Sequence, residues 1–320
     1  MKIMKKITIL ILIISAAFVA NAQQLPQFTQ YMINDCVFNP AIAGAESSYQ
    51  MKTNIRNQWV GVTDAPRTTV LSIYGKYRES NVGLGGVVFN DQVGPTSRTG
   101  LSLSYAYHFS LTDNMKMSLA LSGGFTQMKI DPSLLNVFHK DDPIMNGGVL
   151  EASVPDATFA FYLYTKDWYV GASIPQLLNS NLGFFEDDYI EAYNTNAADE
   201  EEVNPDGSLE RHYFAMAGYK WNVNYDYMVE PSVLIKSVAS APTQVDFGVK
   251  VTYQNKLWLG TNYRSSGDIG LLLGYSIGDR YLIGYSYDMV TSGLGDYTSG
   301  SHEFMLGIRF APVTEEEIMK

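Results

Sequence analysis

Four histidines, His108, His139, His212 and His302, are the side chains whose charge changes nearest neutral pH and which most often serve as bases or metal ligands. None has a second histidine or a carboxylate at the spacing that zinc or iron coordination needs. Serine hydrolysis needs a nucleophile on a strained elbow, G-x-S-x-G, paired with histidine, and no such elbow occurs. Gly83–Gly86 (GLGG) is glycine-rich but lies in a strand pattern and opens no helix, so it is not a phosphate cradle. Cys36, the lone cysteine, forms neither a disulfide framework nor a thiolate cluster and is expected to be a small, partly buried side chain. A formal net charge of −11 without a basic patch opposes nucleic-acid binding. The sequence therefore predicts no catalytic residue, no cofactor and no metal.

The charge is concentrated instead. Glu186, Asp187, Asp188, Glu191, Asp199, Glu200, Glu201, Glu202, Asp206 and Glu210 follow one another with no Lys or Arg before Arg211. The spacing is not that of a D-x-D-x-D-G calcium loop. The run reads either as a partner-binding or cation-bridged surface loop, or as a solvated loop whose charge opposes aggregation.

These residues need a scaffold, and composition restricts it. The 320 residues are 46% hydrophobic but only 17% charged, with 22 Tyr, 15 Phe and 27 Gly. Soluble domains carry nearer a quarter charged residues. A membrane helix needs about 20 consecutive apolar residues. The one candidate run, Ile7 to Ala20, is shorter and sits behind Lys2, Lys5 and Lys6. With Ala20-Asn21-Ala22 after it, the run reads as a secretory signal over residues 1–22, cleaved after Ala22. An aromatic-rich, charge-poor chain without apolar helices points to a sheet that faces lipid.

Residues 49–320 read as a transmembrane antiparallel β-barrel of the outer membrane, an all-β fold of about fourteen strands. In Gly100–Ser110, Leu101, Leu103, Tyr105, Tyr107 and Phe109 share one face, while Gly100, Ser102, Ser104, Ala106 and His108 share the other. In a barrel the apolar face meets hydrocarbon and the small, polar face lines the interior. Predicted strands are 50–59, 68–78, 82–90, 99–110, 115–125, 156–164, 167–174, 211–221, 226–236, 243–253, 256–263, 269–276, 280–287 and 301–310. Links after even strands are predicted tight. Those after odd strands are predicted longer, above all 126–155 and 175–210. Outer-membrane barrels have short periplasmic turns and long outer loops, which places both termini in the periplasm. Lys220, Glu230, Lys236, Asp246, Lys250, Glu303 and Arg309 fall on the inward face, as a hydrated pore or as an ion-paired network. Residues 23–48 carry no strand pattern and are predicted to form a periplasmic or plug segment.

Several phrases together carry a resemblance: QLPQFTQYM (Gln24–Met32), NPAIAG (Asn39–Gly44), RNQWVGV (Arg56–Val62), GLGGVVFNDQVGP (Gly83–Pro95), SVPDATF (Ser153–Phe159), YVGASIPQL (Tyr169–Leu177), WLGTNYR (Trp258–Arg264), GYSYD (Gly284–Asp288) and SHEFML (Ser301–Leu306). The chain resembles the PorP/SprF family of type IX secretion membrane proteins of Bacteroidetes over nearly its whole mature length, most specifically in the N-terminal phrase.

The resemblance implies a non-enzymatic outer-membrane barrel paired with an exported surface protein, often an adhesin, whose C-terminal sorting domain it helps deliver or hold. In gliding species that adhesin serves motility, and other secretion components are further expected partners. Gln27, Tyr31, Asn39, Pro40 and Gly44 match the family's N-terminal phrase. They read either as a shared partner site or as turn-forming and anchoring residues. The two longest predicted loops could supply a standard interface of about 800 Å² per partner. Phe184, Phe185, Tyr189 and Tyr193 would then serve as its aromatic contacts. The competing class is a passive porin-like channel, which shares the fold and loop pattern but conducts ions.

Overall fold

In a computed structural model, which describes residues 25–134, 148–184, 207–278 and 280–310, the chain closes into a single antiparallel barrel. The signal sequence, Phe185, Tyr189, Tyr193 and the acidic residues up to Asp206 lie outside the described residues. The strands are β1 (Tyr49–Asn57), β2 (Arg67–Lys76), β3 (Val82–Val93), β4 (Thr96–Ser110), β5 (Lys116–Ile130), β6 (Leu150–Tyr164) and β7 (Trp168–Ile174). They continue as β8 (His212–Tyr219, resumed at Trp221–Asn222), β9 (Tyr227–Val238), β10 (Ala241–Tyr253), β11 (Leu257–Arg264), β12 (Asp268–Ile277), β13 (Tyr281–Val290) and β14 (Ser301–Phe310). Each strand pairs with its sequence neighbours, and β1 pairs with β14 from Tyr49–Phe310 to Asn57–His302. The fourteen strands expected from the sequence are all present.

Closure matters physically because a membrane offers no partner for an unpaired strand edge. Alternation decides which side of each strand meets which medium. On β4, Leu101, Leu103 and Tyr105 point outward and are 48%, 66% and 52% exposed on the free barrel, whereas Ser104, Ala106 and His108 are buried inside. The same outward row recurs as Leu271, Leu273, Tyr275 and Ile277 on β12, and as Phe304 and Leu306 on β14. These side chains form the lipid-facing belt.

The links depart from expectation in one respect. Those after even strands are short throughout: 77–81, 111–115, 165–167, 223–226, 254–256 and 278–280. Among the odd links, 58–66, 131–149, 175–211 and 291–300 are long, but 94–95, 239–240 and 265–267 are tight. At these places the strands continue past the expected boundary. The hairpin turn of β3 and β4 is Gly94-Pro95, where Gly94 adopts φ +55° and Pro95 cannot donate to the ladder. The long link after β5 begins only at 131 because Gln127–Lys129 pair with Glu151–Ser153 beyond the apolar belt. There the outward side chains are polar, so the alternation that marks a strand in the sequence disappears.

Residues 25–48 run inside the cylinder. Single 3-10 turns form at Asp35–Val37 and Pro40–Ile42. Phe28, Tyr31, Phe38 and Ile42 pack in one buried cluster with Tyr162 (β6), Phe214 (β8), Leu234 (β9) and Leu272 (β12). The Phe38 ring meets Phe28, Tyr31 and Phe214 at centroid distances of 6.1, 6.5 and 5.8 Å.

Candidate functional site in the barrel lumen

The barrel interior is mostly polar, so an inserted segment must satisfy those groups or exclude them from water at a cost of several kcal/mol. Residues 25–48 satisfy many of them. The backbone N–H of Thr29 donates to the Glu303 carboxylate at 2.8 Å, and the Thr29 hydroxyl donates to Asp288 at 2.6 Å. Asn34 donates to Asn54 at 2.8 Å, and Asn54 donates to Glu303 at 2.7 Å. From the wall, Lys52 donates to the Ile33 carbonyl, Ser72 to Asn34 and Ser173 to the Phe38 carbonyl. His108 Nε2 donates to the Ala43 carbonyl at 2.8 Å, and its Nδ1 faces the Tyr164 hydroxyl at 2.9 Å. Because a carbonyl can only accept, the first contact fixes the tautomer.

Behind these contacts lies one continuous network of charge. Arg56 pairs with Asp288 (2.5 Å) and Glu303 (3.3 Å). Arg264 pairs with Asp246 (3.1 Å), Asp268 (3.2 Å) and Asp288 (3.7 Å), and Lys236 closes on Asp246 at 2.8 Å. Three cations thus face four carboxylates, and the donors from Thr29 and Asn54 share the surplus negative charge. In a low-dielectric interior these groups are tolerated only when paired and hydrogen-bonded. Of the inward charges read from the sequence, Glu230, Lys236, Asp246, Lys250 and Glu303 form ion pairs, while Lys220 and Arg309 border a vestibule.

At the end of the barrel bearing the even links, a vestibule of about 480 Å³ remains between Asp35, Glu46, Lys52, Tyr164, Lys220 and Arg309. Lys250 and Glu230 pair on its wall at 2.7 Å. Burial pushes the Asp35 carboxyl above its ordinary range, against the pull of the Lys52 ammonium.

The five residues of the N-terminal phrase come together in this segment. Gln27 donates to Gln244 at 2.8 Å, and Tyr31, 1% exposed, meets the Ser232 hydroxyl at 3.1 Å. Asn39 accepts from the Ala41 N–H at 3.0 Å and donates to the Phe161 carbonyl at 2.9 Å, with Pro40 opening the turn it caps. Gly44 has φ +87°, and a β-carbon on it would lie 2.7 Å from the Gly83 α-carbon. Phe184 is elsewhere, packed against Ala152, Val154, Leu182 and Leu209 at the base of the long link after β7. Cys36 is more deeply buried than expected, in the cluster around Phe38. Sequence reasoning missed Thr29, Asn34, Asn54, Asp268, Arg264 and Arg56 as members of the network. The alternation that puts Asn54 and Arg56 on one face of β1 was the available signal for the last. Among the described residues no cluster of His, Cys, Asp and Glu could hold a metal ion.

A closed antiparallel barrel with an apolar outer belt and a polar, filled lumen defines the class: an outer-membrane β-barrel protein. The sequence pattern of the family described as type IX secretion system membrane protein PorP/SprF matches residues 20–308, and the chain belongs to that family. Solved barrels with a similar trace include the Ralstonia pickettii toluene transporter TbuX, at 9% identity and a TM-score of 0.49, covering 86% of this chain and 92% of that one. A Pseudomonas aeruginosa FadL homologue is similar at 10% identity and a TM-score of 0.49, over 92% and 96% of the two chains. The Acinetobacter baumannii outer membrane protein Omp33 is similar at 10% identity and a TM-score of 0.46, over 82% and 99%. No curated protein matches the sequence.

Proposed function

We propose that this barrel is a non-enzymatic component of type IX secretion that delivers or holds a partner surface protein, an adhesin, through that protein's C-terminal sorting domain. The observation that carries the reading is the lumen. A segment tied in place from Gln27 to Ala43 by hydrogen bonds to strands all around the wall suits an anchor better than a passive conduit. Anchoring also needs a rigid platform, and a closed barrel held by its lipid-facing belt presents loops at fixed spacing. The long links 131–149 and 175–211 supply the contact area in this reading, with both termini in the periplasm and these links outside the cell. Phe184 is the described aromatic residue nearest that role; Phe185, Tyr189 and Tyr193 complete it. The N-terminal 22 residues act as the secretory signal, and residues 23–48 act as the plug.

The test is capture of the tagged barrel from its native outer membrane in mild detergent. A large secreted protein with a type IX sorting domain, recovered in stoichiometric amount, supports the reading. Recovery of the barrel alone, with the surface protein still attached to cells lacking the barrel, contradicts it. In gliding hosts, loss of the barrel then removes the adhesin from the surface and stops movement.

A further inference from the structure

Between the N-terminal segment and the wall formed by β2–β6 and β8 lies a second, apolar chamber of about 130 Å³. Phe28, Phe38, Val70, Val87, Phe89 and Phe214 supply much of its lining. An apolar cavity of about this size holds a single benzene ring. One cation borders it. Arg98 is 5% exposed, its guanidinium carbon lies 5.3 Å from the centre of the Phe89 ring, and its Nε and one Nη have no hydrogen-bond partner. A guanidinium left with unmet donors in an apolar chamber is costly unless something accepts from it. Asp91 stands opposite Arg98 in register, but its Oδ1 accepts from the Thr68 hydroxyl at 2.5 Å. Asp156 also borders the chamber, so a ligand carrying two negative charges is disfavoured there.

We infer that this chamber binds a small monocarboxylate with an apolar body the size of one aromatic ring, its carboxylate paired with the Arg98 guanidinium. The planar fork of arginine matches a carboxylate with two parallel hydrogen bonds, and the surrounding rings exclude the water that would weaken them. The plug segment contributes Phe28, Cys36 and Phe38 to the lining, so ligand and segment stabilise one another by mass action. The inference goes beyond the secretion role and stands or falls independently of it.

The probe is 4-fluorobenzoate, titrated by fluorine NMR into the mature full-length barrel in phospholipid nanodiscs, with 4-fluorobenzyl alcohol as the neutral comparison. Saturable binding of the acid, at least about tenfold tighter than the alcohol, is expected, since one hydrogen-bonded charge pair is worth that much. Arg98→Gln should abolish the preference for the acid, Arg98→Lys should retain part of it, and Asp156→Asn should tighten acid binding several-fold. Absence of saturable binding to the native barrel overturns the proposal without recourse to any variant. Equal affinity for acid and alcohol in the native barrel, or an unchanged preference in a folded Arg98→Gln barrel, overturns it too.

Discussion

The backbone N–H of Thr29 donates to the carboxylate of Glu303 across 274 positions of sequence, joining the N-terminal segment to the last strand of the barrel. Glu303 is fully buried and also accepts from Asn54 and Arg56, so it joins β1, β14 and the segment at one point. Removing that carboxylate leaves the Thr29 N–H, the Asn54 amide and an Arg56 nitrogen buried without this acceptor. Glu303→Ala should therefore lower the stability of the barrel by about 3–5 kcal/mol, read as the urea midpoint in detergent micelles. A shift under about 1 kcal/mol would mean that Arg56 and Thr29 find other partners.

Gly83 on β3 offers a steric test. A β-carbon there would overlap the carbonyl of Ala43, which is backbone and cannot swing aside. Gly83→Ala should cost about 1–3 kcal/mol by overpacking. The displaced segment should become cleavable near its N-terminus by added protease while the barrel itself stays intact. Equal protection in the variant and the parent would contradict the close approach.

Asn39 separates a structural role for the N-terminal phrase from a recognition role. Its side chain caps the Pro40–Ile42 turn and reaches the Phe161 carbonyl. Asn39→Ala should lose about 1–3 kcal/mol of stability. Partner capture should persist wherever the variant is folded, because the side chain is buried in the lumen and offers nothing to a partner at the loops.

The acidic loop gives the opposite expectation. Deletion of Glu186 to Glu202 should leave the heat-modifiable mobility of the barrel unchanged and release the surface protein into the medium. Full retention on the cell would exclude this loop as the contact.

Strand number and facing were legible because lipid imposes a one-letter rule: on β4 every second residue from Leu101 to Phe109 is apolar, and no packing detail is needed to see it. The rule stops where lipid stops. Gln127, Lys129, Glu151 and Ser153 pair in regular register above the belt with nothing in their outward character to announce a strand. The candidate site was legible only in part. Glu303, Lys236 and Asp246 were found on the inward face by counting in twos. The pairings themselves were not, because they join residues such as Arg56 and Asp288 that are distant in sequence and meet only when the barrel closes. Thr29 and Asn34 carry no periodic signal at all. Their role comes from the shape of the lumen around them.

The most direct test of the account is single-barrel conductance across planar bilayers. The mature full-length protein should be electrically silent, because residues 25–48 fill the lumen and are bonded to its wall. A barrel lacking residues 23–48 should conduct as an open pore. Steady, ohmic conductance from the full-length protein, equal to that of the truncated one, would contradict the sealed lumen on which the anchoring role depends.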